Sequence, residues 1–144
     1  MADPASAETI RAAVEAVLPP VGDRPGGADL GVHEHVIEQV EMALPGFVGL
    51  MAALLDATAM ELSQAPFAGL GVAERLEVIR ALSSDEAQDV REAADVLLIF
   101  AYGGMYSEWT GYDRAAGELR PPAVWDDLGF HGPSLGHPGY REEP

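Results

Sequence analysis

The four histidines and their acidic neighbours have the most capacity for chemistry in this sequence. Two lie in "HEHVIE", residues 33–38. This differs from HExxH, in which two histidines four apart share one helical face and grip a metal. His33 and His35 are two apart, so on a helix they diverge. His35 and Glu38 share a face, but two ligands do not make a metal site. Glu34, Glu38 and Glu41 form a carboxylate stripe, expected to be a solvated helix face. The other two, His131 and His137, stand among Gly and Pro near Asp126, Asp127 and Tyr140. A histidine beside a carboxylate can act as a general base. It can equally donate hydrogen bonds that fix an irregular backbone. Ser134 lacks the GxSxG context of a nucleophile elbow. "GGM" at 103–105 is no dinucleotide fingerprint, since neither GxGxxG nor a strand before it is present. The sequence therefore assigns no catalytic, cofactor-binding or metal-binding residue.

The elements that would position these residues read as helices. Ile10, Val14, Val17 and Leu18 recur at helical spacing over 6–18, with Ser6 as the expected cap and Pro19-Pro20 as the stop. "VGDRPGGADLG" is a loop. A second helix starts near Asp29 or Gly31, carries Val32, Val36, Ile37 and Val40 on one face, and ends by Pro45. A third, 46–64, presents Phe47, Leu50, Met51, Leu54, Leu55 and Leu62 and has few charges, so a central place is expected. A fourth, 72–82, turns Leu76, Ile79 and Leu82 inward and Glu74, Arg75, Glu77 and Arg80 outward. "SSDE" offers a capping box, Ser83 with Glu86, for a fifth helix that runs to about Tyr102 and stops at Gly103-Gly104. Its end, "VLLIFAY", is apolar all round and predicts burial on more than one side. The expected fold is all-α: about five helices forming a core over 6–104, followed by an irregular Gly/Pro/aromatic arm over 105–144, all in one domain of residues 1–144.

Composition narrows the function classes. Of 144 residues, 48% are hydrophobic, which suits a folded core. The formal net charge is −16, from 24 acids and 8 bases. Every base is arginine. Such a surface repels phosphate backbones and anionic lipid, which argues against nucleic-acid partners and membrane docking. Absence of cysteine removes disulfides and thiolate chemistry. No signal peptide or apolar span of about 20 residues is seen, so a cytoplasmic location is expected, with export alongside a partner left open.

Eight of the ten aromatic side chains lie between Phe100 and Tyr140. Each can bury roughly 150–250 Å². Two readings of this concentration stand side by side. The arm wraps its own helices, or part of it forms a surface read by another protein, since Tyr, Trp and Phe are favoured in interfaces. The residues expected to meet a partner are Tyr106, Trp109, Tyr112, Trp125, Phe130, His131, His137 and Tyr140. Core burial is the default for Tyr102, Tyr106, Trp109 and Tyr112.

Two stretches together resemble one family. The first is "IRAAVEAVLPPVGDRPGGADLGVHEHVIE", residues 10–38: a helix ending in "LPP", a "D.PGG" loop, then "GV" opening a helix. The second is "VWDDLGFHGPSLGHPGY", residues 124–140. Their order, with the helical middle, resembles the gluconate 2-dehydrogenase subunit 3 family. The resemblance implies a non-catalytic small subunit that supports assembly, maturation or export of a large one. That large subunit would be a flavoprotein of the glucose–methanol–choline type, carrying the FAD and the substrate. The chain departs from the family pattern by an extra stretch, "EWTGYDRAAGELRPPA" at 108–123, and by Phe130 where Tyr is commoner. Two further hypotheses are a small helical enzyme or ligand-binding protein using His131, His137 and nearby acids, and a self-contained acidic interaction module.

Overall fold

The architecture is known from a computed structural model, which describes residues 2–113 and 115–130. It is mostly helical. Helix α1 spans Pro4–Val17, α2 Val32–Ala43, α3 Phe47–Ser63, α4 Val72–Ser83, α5 Gln88–Tyr106 and α6 Ala123–Asp127. Short 3-10 turns occupy Phe67–Gly69 and Glu108–Gly111. Two-residue strands β1 (Tyr112–Asp113) and β2 (Glu118–Leu119) pair antiparallel, with Tyr112 opposite Leu119 and Asp113 opposite Glu118. The expected all-α fold is observed. The arm after α5 is more regular than expected: residues 107–130 hold a turn, a minimal hairpin and a short helix.

The helix ends show where local signals were misread. Asp3, not Ser6, caps α1: its Oδ1 accepts from the backbone N–H groups of Ala5 and Ser6 at 3.0 and 3.1 Å. Pro4 follows directly, at a position where a missing N–H costs nothing. Ser83 does not open α5 but closes α4, and α5 begins at Gln88 after Ala87. Half of such a box lies earlier, where Glu74 Oε2 accepts from Gly71 N–H at 2.9 Å and glycine offers no side chain to complete it. Glu41 is no mere solvated acid. Both its carboxylate oxygens reach the start of α3, accepting from Gly46 N–H at 3.1 Å and Val48 N–H at 3.2 Å. Gly46 has no side chain to cap α3, so an acid from the preceding helix serves its exposed N–H groups.

The core runs through Ile10, Val14, Val32, Val36, Val40, Val48, Leu55, Phe67, Val78 and Leu97, each 2% exposed or less. Helix α3 turns Val48, Met51, Ala52, Leu55 and Ala59 inward, while Leu50 and Leu62 are exposed. Its small residues let neighbouring helices approach, so the inner face is narrower than the run of large apolar residues implied. Arg75, expected outside, lies against the core instead. Its Nη1 donates to Glu15 at 2.6 Å and its Nη2 to the carbonyl of Ala68 at 2.8 Å. It thereby ties α4 to α1 and to the 3-10 turn at Phe67–Gly69. Asp56 does similar work beneath it, accepting from Phe67 N–H at 2.9 Å.

The "D.PGG" loop earns its composition by folding back on α1. Gly27 N–H donates to Leu18 O at 2.8 Å, and Asp29 Oδ2 accepts from Gly26 N–H at 3.1 Å. Chain reversal at this point aims α2 across α5, the crossing on which the functional surface is built.

Gly103 and Gly104 do not stop α5, which continues to Tyr106. Gly104 is buried where α5 crosses α2. A Cβ there would lie 2.6 Å from His35 Cδ2 and 3.1 Å from Val32 Cγ1. Gly103 is exposed, and a Cβ there would meet nothing within 4 Å. The pair predicts opposite signs. Gly104→Ala should destabilise the protein by about 1–3 kcal/mol through overpacking. Gly103→Ala should stabilise it by up to about 1 kcal/mol through helix propensity. Chemical denaturation of the two variants decides this, and equal effects would refute the crossing as described.

Candidate functional site: an aromatic groove beside the α2–α5 crossing

The apolar end of α5 is not buried all round. Ile99, Tyr102 and Tyr106 are exposed and follow one another at helical spacing along its outer side. The inner side carries Leu97, Ala101, Gly104 and Met105 against the core. Tyr102, Tyr106 and Tyr112 are therefore surface residues rather than core, and Tyr106 and Tyr112 are 43% and 49% exposed.

Beyond Tyr106 the chain turns back as a strap over residues 107–130. Ser107 opens the turn, its Oγ accepting from Trp109 N–H at 3.3 Å. The Trp109 ring then packs on His35 of α2, with ring centroids 5.0 Å apart. Its Nε1 donates to Gly31 O at 3.4 Å. His35 is thus held between Gly104 on one side and the Trp109 indole on another. The small residue on α5 and the two rings form one packed unit.

The strap is fastened at its far end by α6. Pro122 and Val124 are fully buried and Trp125 is 9% exposed. Trp125 Nε1 donates to Tyr106 O at 2.9 Å, satisfying a carbonyl at the end of α5 that the helix leaves without a partner. Phe130 packs edge-on against Trp125, centroids 5.0 Å apart, yet remains 49% exposed. Arg24 Nη1 pairs with Asp127 at 2.6 Å and joins α6 to the loop after α1. Gly111 is needed where the strap doubles back. Its carbonyl accepts from Arg120 N–H at 2.8 Å, and a Cβ there would stand 1.9 Å from Arg120 O.

Between α2 and the strap lies an open groove lined by His35, Gln39, Ser107, Glu108, Trp109, Tyr112, Trp125 and Phe130. Of the residues expected to meet a partner, the fold brings Trp109, Tyr112, Trp125 and Phe130 together here. Tyr106 shares its backbone with the groove through Trp125. His131, His137 and Tyr140 lie outside the described residues. Sequence reasoning missed His35, Gln39, Ser107 and Glu108. His35 and Gln39 are four apart and so share a helical face, a signal overshadowed by the metal question posed by "HEHVIE".

Chemical capacity at the groove is modest. Among the described residues no group of three or more His, Asp or Glu could hold a metal. The small cleft between α3, α4 and α5, lined by Met51, Leu55, Ile79, Leu82 and Leu97, is apolar and only about 10 Å³. It is barely the size of one water and has no polar partner for one. Burial pushes His35 below the usual imidazole range, with Glu38 acting against it. Burial does the same to His33, reinforced by Arg11 and opposed by Glu34. Nδ1 of each ring is buried without a hydrogen-bond partner.

A scan against family models matches residues 4–116 to the family described as gluconate 2-dehydrogenase subunit 3. The chain belongs to the gluconate 2-dehydrogenase subunit 3 family. Searches of curated proteins and of solved structures found no significant match. The family match contains His35, Gln39, Ser107, Glu108, Trp109 and Tyr112, and it stops between β1 and β2. Trp125 and Phe130, which complete the groove in this family member, lie beyond it.

Two outcomes follow. Trp125→Ala should release the strap: amide exchange over 107–130 should rise sharply while α1–α4 keep their protection. Trp125→Phe, which loses the hydrogen bond but keeps most of the packing, should cost about 1 kcal/mol. The histidines predict a pH dependence. With folded-state pKa values depressed below about 6.5, the unfolded chain takes up protons that the folded chain refuses. Stability should therefore be unaffected by these groups above about pH 6.5 and fall as the pH drops below it. Denaturation midpoints measured at pH values on either side of that point should differ, and His33→Gln with His35→Gln should shrink the difference.

Proposed function

We propose that this chain is a non-catalytic accessory subunit. It binds an FAD-dependent dehydrogenase through the aromatic groove and the adjoining outer side of α5, and holds that partner in its folded, flavin-loaded form. Membership of a family described as a dehydrogenase subunit supports a hetero-oligomer. The observation that carries the site is the half-exposure of Tyr106 at the end of α5 and of Tyr112 and Phe130 on the strap, which Trp125 fastens to the Tyr106 carbonyl. Large rings held rigid at a surface lose little freedom on binding and exclude water from their surroundings, which is what interface anchors require. The Tyr102 ring and the aliphatic Ile99 extend the surface along α5. The flavin and the reacting groups belong to the partner in this reading, and the complex resides in the cytoplasm unless the partner carries it out.

A tagged copy of the chain co-expressed with an FAD-dependent dehydrogenase from the same genome should purify as a yellow complex with flavin absorbance bands. Simultaneous Tyr106→Ala, Tyr112→Ala and Phe130→Ala should weaken that complex by about 100-fold or more, because interface aromatics commonly contribute about 1–2 kcal/mol each. All three side chains are partly solvent-exposed, so the variant should keep its fold. A colourless monomer from the unaltered chain would overturn the assignment.

A further inference from the structure

Outside the groove, helix α5 carries one continuous exposed stripe. Glu92, Asp95, Ile99, Tyr102, Gly103 and Tyr106 follow one another at steps of three and four, so they share one side of the helix, and all are exposed. At 1.5 Å of rise per residue the stripe is about 21 Å long. Its halves differ in chemistry. Toward the strap it is apolar and aromatic, with Ile99, Tyr102 and Tyr106 around Gly103. Toward the start of α5 it is acidic. Glu92 accepts from Gln88 Nε2 at 2.6 Å, and Asp95 makes no hydrogen bond or ion pair with a described residue. Arg91, one turn before Asp95, donates instead to the carbonyls of Asp85 and Glu86 at 2.6 and 2.9 Å.

Gly103 has no role within the fold that requires glycine. It lies inside a regular helix and has no positive φ. A Cβ there would meet nothing within 4 Å, so no neighbour needs the space. Glycine also disfavours a helix interior. What it supplies is a notch of bare backbone between large apolar side chains. The distance between packed helices is set by the side chains at their contact, and such a notch lets a second helix come closest.

We propose that this stripe docks a helix of the partner subunit, laid along α5 with a small residue over Gly103 and a basic side chain reaching Asp95 and Glu92. This rests on the accessory-subunit reading and names the partner element it uses. Anchors at steps of three and four are the form in which one helix reads another. A strand suits the stripe poorly, because a helix face offers no partners for its backbone N–H and C=O groups. Charge complementarity selects the partner. An acidic half beside an apolar half calls for a helix that is apolar at one end and basic at the other. A second copy of this chain would bring the same acidic half and a net charge of −16, which opposes self-pairing.

The test uses the full chain, alone and in complex with the co-expressed dehydrogenase. Gly103→Leu adds a side chain that points into open space in the free chain, so the denaturation midpoint should not fall. The same substitution should weaken the complex about 100-fold, and Gly103→Ala, which should stabilise the free chain, about tenfold. Lost affinity with undiminished stability separates a contact from a folding defect. Asp95→Lys should also weaken the complex, and its effect should shrink as salt is raised. Because the chain has no cysteine, Ile99→Cys provides a unique thiol for a photoreactive cross-linker. The cross-link should map to a helix of the dehydrogenase that holds Gly, Ala or Ser with Lys or Arg within two turns. A cross-link to a strand, or a complex indifferent to Gly103→Leu, would overturn the docking and leave the accessory role standing on the groove. A stable dimer of the unaltered chain that Gly103→Leu dissociates would also overturn it, since the stripe would then belong to a second copy. If the unaltered chain holds no flavoprotein at all, the accessory role falls and the docking falls with it.

Discussion

Close approach of α5 to α2 at Gly104 is the constraint from which the functional surface follows. Without a side chain at that position, the His35 imidazole fits against the helix backbone. His35 then offers its other side to Trp109, and Trp109 in turn fixes the turn that sends the chain back as a strap. Remove the space and the order reverses: the ring of His35 is displaced, the indole loses its support and the strap has no defined starting point. A groove lined by six or more residues from three segments thus depends on one missing methyl group. This is how packed interiors transmit small volume changes, because they have almost no free space in which to absorb them.

The polar side chains near this crossing are better understood as fasteners than as reagents. Glu41 caps a neighbouring helix, Asp56 ties α3 to the 3-10 turn, Arg75 ties α4 to α1 and to the same turn, and Trp125 closes an open carbonyl of α5. Each satisfies backbone groups that secondary structure leaves over, the recurrent need of a small helical protein with many helix ends. The groups left outside this scheme are aromatic faces and a carboxylate, which suit recognition. Such a division of labour is compatible with a family described as a dehydrogenase subunit.

Much of the fold was legible in the sequence because the helices of the core carry apolar residues at regular spacing and are separated by Pro and Gly. Positions of α1, α2 and α4 could be placed within a few residues. The misreadings share a cause: a local signal was given a local meaning when its role was tertiary. Gly103-Gly104 has the composition of a helix stop, but burial against α2 turns the second glycine into a packing device. Ser83 followed by Glu86 has the form of a capping box, yet α4 consumes the serine. The uniformly apolar "VLLIFAY" was read as doubly buried, whereas one side of it is solvent-facing, and nothing in a single sequence distinguishes a second core contact from an interface. The aromatic concentration after Phe100 was visible. Its assembly with His35 and Gln39 was not, since those residues lie some seventy positions earlier and meet the strap only through the fold.

The Arg24–Asp127 pair spans 103 positions, and the Trp109–Gly31 hydrogen bond spans 78. Closing loops of such length costs chain entropy that the contacts must offset. During synthesis the groove lacks a full set of walls until the chain has emerged past Phe130. A polypeptide that recognises this groove recognises a finished molecule and ignores nascent or half-folded copies.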